Sequence, residues 1–146
     1  MPAEPEHPLE GHVGYALRRA QLSVFQDFCN STARYGLRPA EYSVLVVLAQ
    51  MPGARHHQLS RMLNIQPANC VILIDKLEER GLVAREKLPV SGRAIVLSLT
   101  ERGEALLRQA NKRVDAHRER LRTRLGDKGT KQLLKLLSRL YQEDAE

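Results

Sequence analysis

The side chains best placed to do chemistry in this sequence are hydrogen-bonding and cationic. Gln66 and Asn69 flank Pro67-Ala68 at what reads as the start of a helix, and an amide side chain can bond two atoms on the edge of adenine. Arg61, Lys76, Arg85 and Lys87 lie within two dozen residues of them and suit phosphate oxygens. Arg93 and Ser91 stand in the turn-rich stretch Pro89-Val90-Ser91-Gly92-Arg93. An arginine at such a tip suits the negative potential of a narrow minor groove. The plainer alternatives are a polar helix start for the amides and a solvated strand face for Arg85 and Lys87.

Catalytic patterns are missing. There is no Gly-rich phosphate loop, no G-x-S-x-G and no H-E-x-x-H, and the carboxylates are interleaved with Lys and Arg. An enzyme is not expected, nor a cofactor. His56 and His57 are adjacent, so they do not share a helix face, and no metal site is expected there. Cys29 and Cys70 lack C-x-x-C spacing and an activating cluster. The expectation is two buried, unreactive free thiols in a reducing compartment.

The bulk properties agree with a nucleic-acid partner. The 146 residues suit one domain (1–146), 42% of them are apolar, and aromatics make up 4% with no Trp. The core must therefore be aliphatic. The formal charge is +6, which favours a polyanion, the more so if the chain is doubled. No stretch approaches the ~20 apolar residues that span a bilayer, and residues 1–10 are Pro- and Glu-rich without an apolar signal region. A cytoplasmic protein with no membrane contact is expected.

The elements that must position these residues follow from periodicity. Val13, Leu17, Ala20, Val24 and Phe28 form one helical stripe, with a stop at Gly36. Pro39 opens a second helix that ends near Pro52-Gly53, and a short third one carries Leu59, Met62 and Leu63. Pro67 opens a fourth, which ends at Arg80-Gly81-Leu82. A hairpin follows, with strands over 83–88 and 95–99 and with Ile95, Leu97 and Leu99 on one face. Thr100 caps a long fifth helix through Leu106 or Leu107, Ala110, Val114, His117 and Leu121. Gly126 to Gly129 interrupts it before a last helix bearing Leu133, Leu137, Leu140 and Tyr141. The fold class is mainly α with a small β-hairpin wing. Residues 37–100 form the winged helix-turn-helix part. The terminal helices, 11–36 and 101–146, have apolar stripes wider than that small core needs, which predicts a homodimer.

Four segments in this order resemble the MarR family of regulators: 37–45 (LRPAEYSVL), 58–63 (QLSRML), 77–85 (LEERGLVAR), and Gly92-Arg93 with 97–103 (LSLTERG). The stretch from Gln66 through 73–78 looks closest to members that answer to aromatic acids. The resemblance implies a winged helix-turn-helix, a recognition helix over 67–79 with its N-terminal end on base edges, and double-stranded DNA as partner. It also implies a small effector, an aromatic acid or its thioester, held between the dimer helices and the winged part. By location, Tyr15, Arg19, Phe28, Tyr35, Arg38 and Tyr42 are the pocket candidates. A ligand-responsive repressor follows; the rival is a winged-helix module that binds proteins and does not read DNA.

Two departures from the family pattern stand out. Val71 and Ile72 occupy positions that commonly hold a polar or basic pair. In the run Cys70 to Ile74 five consecutive apolar residues cannot all face the core, so one or two face outward. There Val71 or Ile72 would touch thymine methyls, the plainer alternative being packing against a neighbouring element, and Pro67 and Ala68 lie with them on the expected DNA face. The wing has Ser91-Gly92-Arg93 where Asp-x-Arg is usual. The fifth helix also holds a basic run, Arg108, Lys112, Arg113, Arg118, Arg120, Arg122 and Arg124. It is either a solvated face or a site for an anionic ligand such as a phosphate-bearing thioester.

Overall fold

The computed structural model describes residues 7–89 and 94–142. In chain order these form α1 (Val13–Thr32), a 3₁₀ turn (Ala33–Tyr35), α2 (Pro39–Gln50), α3 (His56–Leu63), α4 (Pro67–Glu79), β1 (Val83–Leu88), β2 (Ala94–Leu99) and α5 (Glu101–Tyr141). Pro39 and Pro67 occupy the first turns of α2 and α4, where a missing N–H costs nothing. Gln58 reaches back to accept the Arg55 N–H at 2.8 Å and opens α3. Asn64, at φ 51°, ends it. β1 and β2 pair antiparallel, Val83 opposite Leu99 and Leu88 opposite Ala94.

The core is aliphatic, as the composition requires. Val44, Leu45 and Leu48 of α2, Leu59 of α3, Cys70, Ile74 and Leu77 of α4, Leu97 of β2, and Ala110 and Val114 of α5 are all buried in one cluster. At Leu97 the strand β2 is flanked on both edges. Besides facing its partner on β1, Leu97 donates to the Ala54 carbonyl at 2.8 Å and accepts from Gly53 at 2.9 Å. The α2–α3 loop thus adds a one-residue bridge to the hairpin. The expected face of β2 needs one correction. Leu97 is buried and Leu99 half-buried, but Ile95 is exposed. Ile95 lies near the hairpin tip, beyond the reach of the helices.

The corner between α4, the hairpin and α5 is the tightest part of the fold. α4 ends with Gly81 at φ 73°, and Leu82 donates back to Leu77 O at 2.9 Å. Thr100 donates to Gly81 O at 2.6 Å and accepts from Gly103 N at 3.0 Å, capping α5. Gly103 lies so close to the Leu82 backbone that a Cβ there would sit 2.1 Å from its carbonyl oxygen. Arg80, the residue just past α4, donates to Gly36 O at 2.8 Å and Tyr35 O at 3.0 Å and pairs with Glu41 at 3.2 Å. Glu41 is buried, so this one guanidinium ties the end of α4 to the junction of α1 and α2.

α5 crosses α1 through a polar lock. The His117 ring is buried, and its Nδ1 bonds Asp27 Oδ2 at 2.6 Å. A carboxylate partner requires the ring proton to be on Nδ1. Arg120 donates to both oxygens of the same carboxylate, at 3.0 and 3.1 Å, and to Ser31 Oγ at 3.2 Å. The hydrogen bond from His117, and then that from Arg120, hold the Asp27 carboxyl below its ordinary 3.8. Further on, Gly126 takes the non-helical φ 71° and ψ 164°, so α5 is two helices meeting at a kink, with the interruption at Gly126 as expected. Beyond the kink, Leu133, Leu134, Leu136, Leu140 and Tyr141 are exposed, as are Val13, Leu17, Leu22 and Phe25 of α1.

Two outcomes follow. Gly103→Ala must push the hairpin away from α5 and should destabilise the protein by about 1–3 kcal/mol or more. Gly129→Ala, whose Cβ meets only the Leu125 side chain at 3.7 Å, should be neutral or slightly stabilising. Thermal melts of the two variants should differ in that sense. Asp27, with its folded-state value depressed, stabilises the fold above its ordinary 3.8 and loses that contribution as pH falls through the lower, folded value. Melting temperature measured from pH 6 to pH 3 should therefore fall more steeply at the acid end for the parent chain than for Asp27→Asn, which starts lower.

Candidate nucleic-acid interface and effector hollow

α4 buries Cys70, Ile74 and Leu77, the i, i+4, i+7 stripe of a helix packed on one side. Its opposite side is open. Gln66, Pro67, Ala68 and Asn69 are all exposed at its N-terminal end, and Asn69, Ile72 and Lys76 continue along one outward stripe at spacings of three and four. Ile72 is 52% and Val71 42% exposed, so both expected apolar contacts point away from the core. Arg61 on α3 and Lys87 on β1 are exposed as well. Burial pushes the Cys70 thiol up, and its Sγ lies 3.7 Å from His56 O, in keeping with an inert thiol. Cys29 is only half-buried, a correction to the expectation of two buried cysteines. His56 is half-buried, and that burial lowers its pKa.

Arg85 is positioned differently from the reading of a free phosphate ligand. Its guanidinium bonds Asp75 of α4 and pairs with Glu78 at 3.4 Å. Val71, Asp75 and Glu78 form the stripe beside Asn69, Ile72 and Lys76, so β1 is fastened to the flank of α4 by its arginine. The signal was in the sequence as two carboxylates three apart, but which cation meets them depends on where the hairpin folds back. Ser91 and Arg93 lie outside the described residues.

Of the six pocket candidates the structure brings Phe28 and Tyr42 together. The rings meet edge to face at 5.3 Å, and Phe28 also meets the His117 ring edge-on at 5.5 Å. Both line a hollow of about 280 Å³ between α1 and α2, with Val24, Phe25, Pro39 and Ser43. The Tyr42 hydroxyl donates to Asn111 of α5 at 2.6 Å, and burial pushes its phenol up. Tyr15 and Arg19 stand in the first two turns of α1, about 20 Å and about 14 Å along the helix from Phe28. There Tyr15 stacks on His7 at 5.0 Å and Arg19 lies over the Tyr15 ring at 5.8 Å. Arg38 is exposed at the N-cap of α2, and Tyr35 lines a separate hollow of about 530 Å³ against α5. Asp27, Asn111 and His117, which order the base of the Phe28–Tyr42 contact, are far apart in sequence and none was singled out for this site. No group of three His, Cys, Asp or Glu side chains among the described residues is placed to hold a metal ion, and among them no helix is long and apolar enough to cross a membrane.

Comparison with known proteins gives a consistent picture. A family model described as the MarR family matches residues 37–95. A protein assigned as transcriptional regulator of the hcr operon in Thauera aromatica is 31% identical over 139 residues, spanning 94% of this chain and 84% of the relative. The transcriptional repressor CouR bound to a 23-mer DNA duplex is 40% identical, with TM-score 0.84 over 89% of this chain and 92% of CouR. CouR bound to p-coumaroyl-CoA is 39% identical, with TM-score 0.82 over 90% and 92%. With a winged helix-turn-helix built on an aliphatic core and relatives matching along nearly its whole length, the chain belongs to the MarR family.

Proposed function

We propose that this chain is a ligand-responsive transcriptional repressor that binds a pseudo-palindromic duplex as a homodimer, in the cytoplasm, and is released by an aromatic acid or its coenzyme A thioester. One observation carries the reading. The outward face of α4 presents Gln66, Asn69, Ile72 and Lys76 in a chain 40% identical to a repressor solved on DNA. Asn69 and Gln66 read base edges, Val71 and Ile72 meet thymine methyls, and Arg61, Lys76 and Lys87 neutralise phosphates. Arg93, with Ser91 beside it, enters the minor groove. Arg85 acts by another route, offsetting part of the negative charge of Asp75 and Glu78 where α4 approaches a polyanion.

The exposed apolar residues of α1 and of α5 beyond Gly126 form the dimer seam, because patches of that extent require a cover. The effector's ring occupies the Phe28–Tyr42 hollow, which α5 closes from below through Asn111 and His117. Binding there favours a spacing of the two α4 helices that does not fit successive major grooves. Arg80 is the mechanical link, since it joins α4 to the segment between α1 and α2.

Light scattering should give twice the mass of the single chain; a stable monomer at micromolar concentration would refute the dimer. Selection from a randomised duplex library should yield a two-fold-related site whose affinity falls steeply with salt. Asn69→Ala should relax one position in each half-site by about 1–3 kcal/mol, while Arg93→Ala should weaken binding with little change outside A·T-rich flanks. Arg85→Ala should weaken DNA binding, and Asp75→Asn in that background should restore part of the loss. If Arg85 touched phosphate directly, the second substitution would restore nothing.

A further inference from the structure

α5 and the end of α1 enclose a groove that the reading above does not use. It consists of two hollows that share Arg34. The first, about 250 Å³, is lined by Asn30, Ser31, Arg34, Arg113, Ala116 and Arg120. The second, about 530 Å³, has Arg34, Tyr35, Arg80, Arg102 and Gln109 in its wall. On α5 the lining positions 102, 109, 113, 116 and 120 are separated by seven, four, three and four residues. They therefore form one face of the helix, and the groove runs along it.

Five arginines reach this groove, and they are not equivalent. Arg80 is committed to Tyr35 O, Gly36 O and Glu41, and Arg120 to Asp27 and Ser31. Arg34, Arg102 and Arg113 make no hydrogen bond or ion pair among the described residues; Arg34 only lies 5.9 Å from the ring of its neighbour Tyr35. No carboxylate lines either hollow. By contrast Arg118 and Arg122, which line neither, carry their own carboxylates, Asp115 for one and Glu119 for the other. Cations gathered in a concave site without counter-charge repel one another, and an anion that fills the site relieves this. The guanidinium fork matches phosphate oxygens two at a time.

We propose that this groove holds the phosphate-bearing end of an acyl thioester effector, with Arg34 and Arg113 on one phosphate group and Arg102 on another. The assignment rests on the thioester reading above and extends it from the aromatic ring to the nucleotide handle. Arg102 and Arg113 are about 16 Å apart along α5, a separation that one inorganic phosphate cannot bridge and a ligand with phosphates at two places can. DNA phosphate is the poorer occupant. The groove meets α4 only at Arg80, about 20 Å along the helix from the Gln66–Asn69 end. An anion in the second hollow sits against Arg80 itself, beside its bonds to Tyr35 and Gly36.

Calorimetric titration of the full chain with p-coumaroyl-CoA, coenzyme A, p-coumarate and inorganic phosphate tests this. Coenzyme A alone should bind, the thioester should bind more tightly, and inorganic phosphate should bind far more weakly than either. The double variant Arg34→Ala/Arg113→Ala should lose at least tenfold in affinity for coenzyme A and the thioester. Its affinity for p-coumarate, its melting temperature and its mass in light scattering should match the parent, and the Arg34→Lys/Arg113→Lys pair should recover part of the loss. A double variant that binds the thioester like the parent overturns the groove assignment and leaves the repressor reading intact. So does inorganic phosphate binding as tightly as coenzyme A, or a change of mass, which would make the groove a subunit seam. A parent chain that binds neither coenzyme A nor the thioester overturns the thioester reading and this assignment together.

Discussion

The backbone of Leu82 passes so close to α5 that only glycine fits at position 103, and that contact fixes how α4, the hairpin and α5 meet. The same few residues stop α4 at Gly81, cap α5 through Thr100 and launch the hairpin at Val83. Because Leu82 and Gly103 leave no slack, the angle between α4 and α5 is set by hard-sphere contact rather than by adjustable side chains. Arg80, one residue before Gly81, extends the constraint to the start of α2 by bonding two backbone carbonyls and a buried glutamate. A shift at the α1–α2 junction is thereby felt at the end of α4.

The second junction is polar where the first is steric. Asp27, His117 and Arg120 join α1 to α5 by charge-assisted hydrogen bonds, and the Phe28 ring rests on the imidazole. The wall of the Phe28–Tyr42 hollow is therefore built from side chains that are themselves oriented, Tyr42 by Asn111 and His117 by Asp27. A ring bound there would rest on α1 and α2, and would reach α5 only through Phe28 on His117 and Tyr42 on Asn111. The arginine-lined groove begins on the next turn of α1, at Asn30 and Ser31, so the two sites share α1, the Phe28–Tyr42 hollow lying against α2 and the groove against α5.

The α4 surface shows how charge and shape divide the work. Arg85 does not extend towards a partner; it is held by Asp75 and Glu78. Arg85 offsets one of those two carboxylate charges, and the outward stripe of Asn69, Ile72 and Lys76 is mixed in chemistry. Such a surface has few fixed donors to spend on base edges, which gives Asn69 and Gln66 a large share of any direct readout.

The sequence by itself determined the order and bounds of nearly every element, because helical periodicity, prolines at helix starts and glycines at stops are local signals carried by local sterics. The strand over 83–88, the cap at Thr100 and the interruption at Gly126 were legible for that reason. It also made Gln66 and Asn69 readable as outward-facing, being polar residues at a helix start, and one or two of the run Cys70 to Ile74, since five apolar residues in a row cannot all face one side of a helix. What only the tertiary structure decided were pairings between residues distant in the chain. Examples are Ala54 bridging Leu97, Arg80 reaching Gly36, Arg85 closing on Asp75, His117 on Asp27, and Phe28 meeting Tyr42. Those depend on the angles at which helices cross. The angles come from contacts such as Leu82 against Gly103, which no periodicity in the sequence encodes.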